Sequence, residues 1–188
     1  MQYTDFIRRK DAFNSFKELR KILNGAIANP QDWKKSFSDM FAEVGGLAME
    51  NNCIAQDVLS YYYKDGVPGV LEENYDQYIQ WEILAGANGN EFAIEKLQFF
   101  LNYAMQEIVD NDKLPRILAL NGIDETNYMY ILGNLLCEGI VDELNLSPKK
   151  LVGAPSIKQE YSLERMRKYR MALDKALPKV LEYLLSEG

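Results

Sequence analysis

The chain has no histidine among its 188 residues, and that absence excludes more chemistry than any motif present supports. Without an imidazole there is no Ser-His-Asp or Cys-His pair to activate a nucleophile. His-based zinc sites and the Glu-x-x-His di-iron pattern of helical bundles are excluded with it. Cysteine is almost as scarce: Cys53 and Cys137 are the only two, too few for a four-thiolate zinc or iron–sulfur site. They lie far apart on helix-like stretches, and a structural disulfide is not expected in a chain that opens without an export signal. Cys137, in the apolar run Ile131–Val141, reads as a small core residue. Cys53 follows Asn51-Asn52 and has no neighbouring base to make it reactive. Gly-x-Gly-x-x-Gly and Walker-type loops are missing as well. The N-terminus, Met1-Gln2-Tyr3-Thr4-Asp5 followed by Phe6-Ile7-Arg8-Arg9-Lys10, has neither the order nor the apolar run of a secretory signal. No stretch approaches the roughly 20 apolar residues that cross a bilayer. The expectation is a cytoplasmic protein, not an enzyme, with no metal, no cofactor and no membrane segment. Carboxylate, lysine and tyrosine chemistry remains available, but no constellation singles it out.

What is present is ordinary globular material. With 47% apolar and 26% charged residues, the chain can bury a core and is not disordered by composition. Its length fits one domain, residues 1–188. Helical periodicity dominates throughout. Phe6, Phe13, Phe16, Leu19 and Leu23 place a helix over residues 4–24, which Asn24-Gly25 ends. Pro30 opens a second helix carrying Trp33, Phe37, Met40, Phe41 and Val44, with Gly45-Gly46 as its stop. A third runs from about Ala48 to Lys64, where Asp65-Gly66-Val67-Pro68-Gly69 breaks it. A fourth spans about Asn74–Asn88 and a fifth Glu91–Val109. Leu114–Leu120 is a short helix with Pro115 in its first turn, and another runs from Asp124 to Leu144. Residues 146–157 read as a loop, and Ser162–Leu185 as a long helix that Pro178 kinks or splits. No segment alternates like a strand. The fold class is all-α.

A repeat is visible inside these helices. Leu59-Ser60-Tyr61-Tyr62-Tyr63-Lys64-Asp65-Gly66 matches Leu132-Gly133-Asn134-Leu135-Leu136-Cys137-Glu138-Gly139 in its leading Leu, central apolar pair, charge and closing Gly. Leu97-Gln98-Phe99-Phe100-Leu101 keeps the apolar pattern but has Ala104 in place of the Gly. The three leucines stand 38 and 35 residues apart, in the range of two-helix repeats.

The stretch Ala55-Gln56, Leu59, Tyr62-Tyr63, Gly66, Val67-Pro68, Tyr75, Ile79, Trp81, Ala87, Gly89-Asn90 and Ala93 resembles the Sel-one-like repeat family, a relative of the tetratricopeptide repeat. Small Ala positions let helices approach, aromatic residues fill the gaps between stacked pairs, and Gly ends each helix. The match covers residues 55–93 and half a unit near 129–142. Ser60 stands where the family has Gly, Tyr78 where it has Ala, and the middle unit has lost its loop Gly. The resemblance implies antiparallel helix pairs stacked as a short, degenerate tetratricopeptide-like domain. The repeat-like part is residues 48–146, flanked by helices over 4–44 and 159–186. It also implies a protein-interaction module, an adaptor or scaffold.

Charge is segregated. Residues 1–35 hold eight Lys+Arg against four Asp+Glu, and residues 147–188 nine against five; residues 36–146 hold four against 19, a net of −15. That imbalance bears on association rather than on fold. It can be a solvated surface against which basic terminal helices pack, or an acidic face for a basic partner. The candidate partner-binding residues are Tyr62, with Glu72, Glu73 and Asp76 beside the loop, and Glu91 and Glu95 on the next helix. An acidic inhibitor or immunity protein that neutralises a basic toxin or nuclease is the alternative function. The acidic middle would repel nucleic acid, and Arg165–Arg170, the only plausible nucleic-acid or phosphate patch, spreads around its helix as a solvated face. Tyr61-Tyr62-Tyr63 spans about 200° of a helix, so at least one of the three enters the core. Trp33 and Trp81 are expected to be packing residues.

Overall fold

Asparagine opens three successive helices. Asn52 accepts from the amides of Ile54 and Ala55, Asn74 from that of Gln77, and Asn90 from that of Ala93. Each supplies a side-chain oxygen to first-turn N–H groups that have no partner inside the helix. In the computed structural model, residues 33–113, 115, 116, 119, 125–155 and 157–186 are described. The helices are α1 (Trp33–Met49), α2 (Cys53–Asp65), α3 (Tyr75–Ala87), α4 (Glu91–Lys96), α5 (Gln98–Val109), α6 (Glu125–Leu144), α7 (Pro148–Val152) and α8 (Leu163–Ser186). There is no strand among the described residues, only the isolated bridges Val67–Leu71 and Asn74–Gln159. The fold is all-α, its helices packed in pairs.

α2 and α3 form the tightest pair and run antiparallel. Asn74 N–H reaches Tyr63 O at one end, and Asn90 Nδ2 reaches Cys53 O at the other. α1 packs on α2, while α6 packs on both α3 and α8. α3 is the central helix, with nine of its thirteen residues buried. It serves two apolar clusters. On one side Ile79 and Ile83 meet Leu101 and Ile108 of α5, Leu132 and Leu136 of α6, and Leu173 of α8. On the other, Trp81 and Leu84 meet Met40 and Val44 of α1, Leu59 of α2 and Leu151 of α7. A helix covered on nearly all sides needs apolar residues around its whole circumference, and Trp81-Glu82-Ile83-Leu84-Ala85 supplies them with one exception, Glu82.

Several boundaries differ from the sequence reading. α1 continues through Gly45-Gly46 to Met49, because Val44 and Ala48 are both buried in the second cluster and that packing outweighs the poor helix propensity of glycine. The break falls instead at Asn51, which takes the left-handed conformation (φ 62°). The expected helix from Glu91 to Val109 is interrupted at Leu97, whose ψ of −2° turns the chain while its N–H still reaches Ala93 O. The expected loop 146–157 contains α7, capped by Ser147 with Pro148 in its first turn. Pro178 lies within α8 without splitting it. The helices expected over residues 4–24 and Leu114–Leu120 lie outside the described residues or largely so.

The three spaced leucines are not equivalent in the fold. Leu59 is inside α2 and Leu132 inside α6, whereas Leu97 is the junction between α4 and α5. Their glycines differ too. Gly66 ends α2 at φ 68°, ψ −179°, while Gly139 lies inside α6, where an added Cβ would stand 2.6 Å from Ala176 Cβ of α8. One glycine terminates a helix; the other lets two helices meet. The described residues therefore display packed helix pairs, and these three positions do not define a common register.

Candidate functional site

Between α2 and α3 the chain turns through residues 66–73. Val67 N–H reaches Leu71 O at 2.7 Å and Leu71 N–H returns to Val67 O at 2.8 Å. Asp65, Glu72 and Glu73 stand on or beside this small closed loop. Together with Val67, Pro68, Val70, Leu71 and Lys158 they line a cleft of about 390 Å³. Its back is fixed from a distant part of the chain. Tyr75 N–H donates to Gln159 O at 2.7 Å, Gln159 N–H to Glu73 O at 3.1 Å, and Asn74 Nδ2 to Ile157 O at 2.8 Å. Lys158 is 3.8 Å from Glu73 and 3.3 Å from Glu160. Its hydrogen bond to the Glu160 carboxylate and the nearby charge of Glu73 raise the pKa of its ammonium. The lining combines three carboxylates and the Lys158 ammonium with Val67, Pro68, Val70 and Leu71, its surface is more polar than apolar, and it has no hydroxyl or thiol nucleophile. Such an arrangement can hold a cationic, partly apolar group.

The six sequence candidates are distributed over several environments. Glu72 and Glu73 line the cleft. Asp76, one turn into α3, is engaged by α8: Tyr169 Oη donates to its carboxylate at 2.6 Å and Lys168 Nζ lies 3.1 Å away. Tyr169 is fully buried, and burial together with that bond pushes its hydroxyl pKa well upward. Tyr62 is half-buried in a ring cluster, edge-on to Phe37 at 5.0 Å and Phe41 at 6.3 Å. Burial, with Tyr61 beside it, raises its pKa. Glu91 starts α4 at the far end of the α2–α3 pair, and Glu95 accepts from Tyr130 Oη at 2.7 Å. The fold thus gathers Glu72, Glu73 and Asp76 at one end and leaves Glu91 at the other.

Sequence reasoning missed a buried ionic network. Glu82, on α3, has no exposed surface. Ser60 of α2 donates to its Oε1, and Lys96 of α4 donates to the same oxygen at 3.0 Å and to Asp57 at 2.6 Å. Glu82 Oε2 has no hydrogen-bond partner. Burial first, and then the neighbouring Asp57 charge, push the Glu82 carboxyl up to about 7, against the opposing pull of Ser60 and Lys96. Burial works against the Lys96 charge, but Asp57 and Glu82 outweigh it and raise its pKa. A carboxylate between Trp81 and Ile83, in a helix apolar all round, was the available signal.

Cys53 and Cys137 are both free thiols. Cys137 is buried with its Sγ close to Gly86, where an added Cβ would stand at 2.7 Å. Burial pushes its thiol well above the ordinary range, and burial raises that of Cys53. Among the described residues no cluster of Cys, Asp and Glu is arranged to hold a metal ion, and no helix is long and apolar enough to cross a membrane. Fold and site define an all-helical domain of packed pairs with an acidic cleft at one end of its central pair. Comparison with family models, curated proteins and solved structures finds no match.

Proposed function

We propose that this chain is a protein-interaction domain that engages a basic segment of another protein through the cleft at residues 65–73. The observation that carries the reading is the gathering of three carboxylates, Asp65, Glu72 and Glu73, in one cleft. Carboxylates at the rim steer a cationic partner and reject an acidic one, while Val67, Val70 and Leu71 offer apolar area to its side chains. The surrounding sequence, net −15 over residues 36–146, extends the attraction beyond the contact itself. Kinship with Sel-one-like adaptors belongs to this proposal. Its support is that the resembling residues 55–93 fall on the antiparallel pair α2–α3 with Gly66 at the turn. The same acidic field also favours a second reading, an inhibitor of a basic toxin or nuclease, which would require one tight cognate partner rather than a set of client segments.

The test is affinity capture from the native lysate at low salt, followed by titration of each captured protein. Binding should weaken steeply as salt rises, and Glu72→Gln/Glu73→Gln should weaken it by about tenfold through loss of two rim charges. Affinity that is indifferent to both salt and the double substitution sinks the cleft reading.

A further inference from the structure

Three helices meet at Glu82. Its side chain has no exposed surface; Ser60 of α2 and Lys96 of α4 both donate to its Oε1, and its Oε2 has no hydrogen-bond partner. Lys96 joins this buried acid to solvent: its side chain is 39% exposed, and at 2.6 Å it also holds Asp57 of α2, itself 22% exposed. Lys96 is the last residue of α4, and the first turn of α4 is tied to α2 by Asn90 Nδ2, 3.2 Å from Cys53 O. The seam between α2 and α4 thus carries one polar tie at each end. The other titratable groups that feel Glu82 are Tyr78, on α3 itself, and Cys137 of α6. Burial first, with the Glu82 charge next, pushes Tyr78 up to about 12 and Cys137 well upward. Both stay neutral through pH 7, while Lys96, its pKa raised by Asp57 and Glu82 against the effect of burial, stays charged. None of these residues lines the cleft at residues 65–73.

We infer that Lys96 is a proton-operated latch: α4 is held against α2 while Glu82 is protonated, and ionisation of Glu82 favours its release. An ionised Glu82 has two donors on one oxygen and none on the other, in an interior where an unsatisfied charged atom is costly. The protonated acid meets the same walls without that charge. Attraction to Lys96 does not reverse the sign. With Lys96 and Ser60 both in place, burial and the Asp57 charge still push the carboxyl from 4.5 up to about 7. Parting α4 from α2 lets water reach Oε2 and returns the group toward its ordinary range. The closed form therefore holds the proton more tightly than the open one, so acid closes the seam and base opens it. α4 is the element that gives way, because six residues ended by the turn at Leu97 are too few to stay helical without neighbours. Between pH 6 and pH 8 the opening equilibrium should rise about tenfold.

Amide hydrogen exchange of the full chain at pH 6 and pH 8 tests this, each rate being divided by that of an unstructured amide at the same pH. The amides of Ile94 and Leu97, bonded to Asn90 O and Ala93 O, should show an opening constant about tenfold larger at pH 8. They should also exchange ahead of the slowest amides of α6 and α8, which report global unfolding. Glu82→Gln is neutral at both pH values and should abolish the rise. A carboxyl titration of the native chain by carbon-13 NMR gives a measure that needs no variant, and Glu82 should titrate near pH 7 in it. Opening constants equal at the two pH values, a rise that persists in Glu82→Gln, or α4 amides that exchange only together with those of α6 and α8 each overturns the inference. Titration of Glu82 near pH 4.5 in the native chain overturns it as well.

Discussion

Glu82 is an acid with no exposed surface and an unpartnered oxygen, and its environment has a measurable consequence. Its folded-state pKa is raised from the ordinary 4.5 to about 7. A carboxyl raised in this way contributes stability that is fully present below about pH 4.5 and is lost as pH rises through about 7. Glu82→Gln keeps an oxygen for Ser60 and removes the buried charge. Near pH 8 the variant should therefore be the more stable protein, by up to about 3 kcal/mol. Near pH 5, where Glu82 is itself largely protonated, the gap should close. Urea melts of both proteins at the two pH values decide the matter, and a gap of the same size at both would contradict the assignment. Glu82 between Trp81 and Ile83 was a local sign, but its partners were not legible for a physical reason: Asp57, Ser60, Glu82 and Lys96 come from three helices, and no local spacing relates them.

At the scale of the elements, the turn between α2 and α3 was legible and its role was not. Asp65-Gly66-Val67-Pro68-Gly69 announced a break, and α2 does end at Asp65. Why residue 66 must be glycine appears only in the folded loop. Its φ of 68° with ψ of −179° belongs to a region essentially reserved for glycine. A Cβ there would also lie 2.7 Å from Glu73 N and 2.8 Å from Leu71 O. Gly66→Ala should cost about 1–3 kcal/mol from backbone strain and, by displacing residues 71–73, weaken binding at the cleft. Thermal melts with partner titration would detect both effects, and a variant as stable as the native chain would remove the constraint ascribed to this loop. Gly45-Gly46 teaches the converse. Both have open space around them, and α1 runs through them because its neighbours Val44 and Ala48 are buried.

Over the whole molecule, α3 contributes to both apolar clusters, and Tyr63, Val141 and Leu146 pack against both as well. Ile79 faces one and Trp81, two residues on, faces the other. The two clusters should unfold together. Ile79→Ala, at a fully buried position, should cost about 2–5 kcal/mol. It should lower the midpoints of tryptophan fluorescence and far-UV circular dichroism equally, although Trp81 packs in the opposite cluster. Two separated midpoints would show that the clusters are independent. The charge pattern acts at this scale as well: Lys168 of the basic C-terminal segment pairs with Asp76 of the acidic middle at 3.1 Å. Lys179 pairs with Glu143 in the same sense. Part of the segregated charge is thus used inside the domain, and the carboxylates of the cleft are part of what it presents outward.

The amino-acid sequence by itself determined the all-helical class, the positions of most helices and the segregation of charge. Each of these is a local or additive property: periodicity over a few turns, caps such as Asn74 and Asn90 beside the helices they start, and sums of ionised groups. Only the tertiary structure decided which spaced residues correspond. Leu59, Leu97 and Leu132 share a pattern yet occupy a helix, a junction and another helix. It alone brought Gln159 against Tyr75 to back the cleft, and Lys96 against Asp57 and Glu82. These pairings depend on which faces the helices bury, and α3 settles that by being covered on nearly all sides.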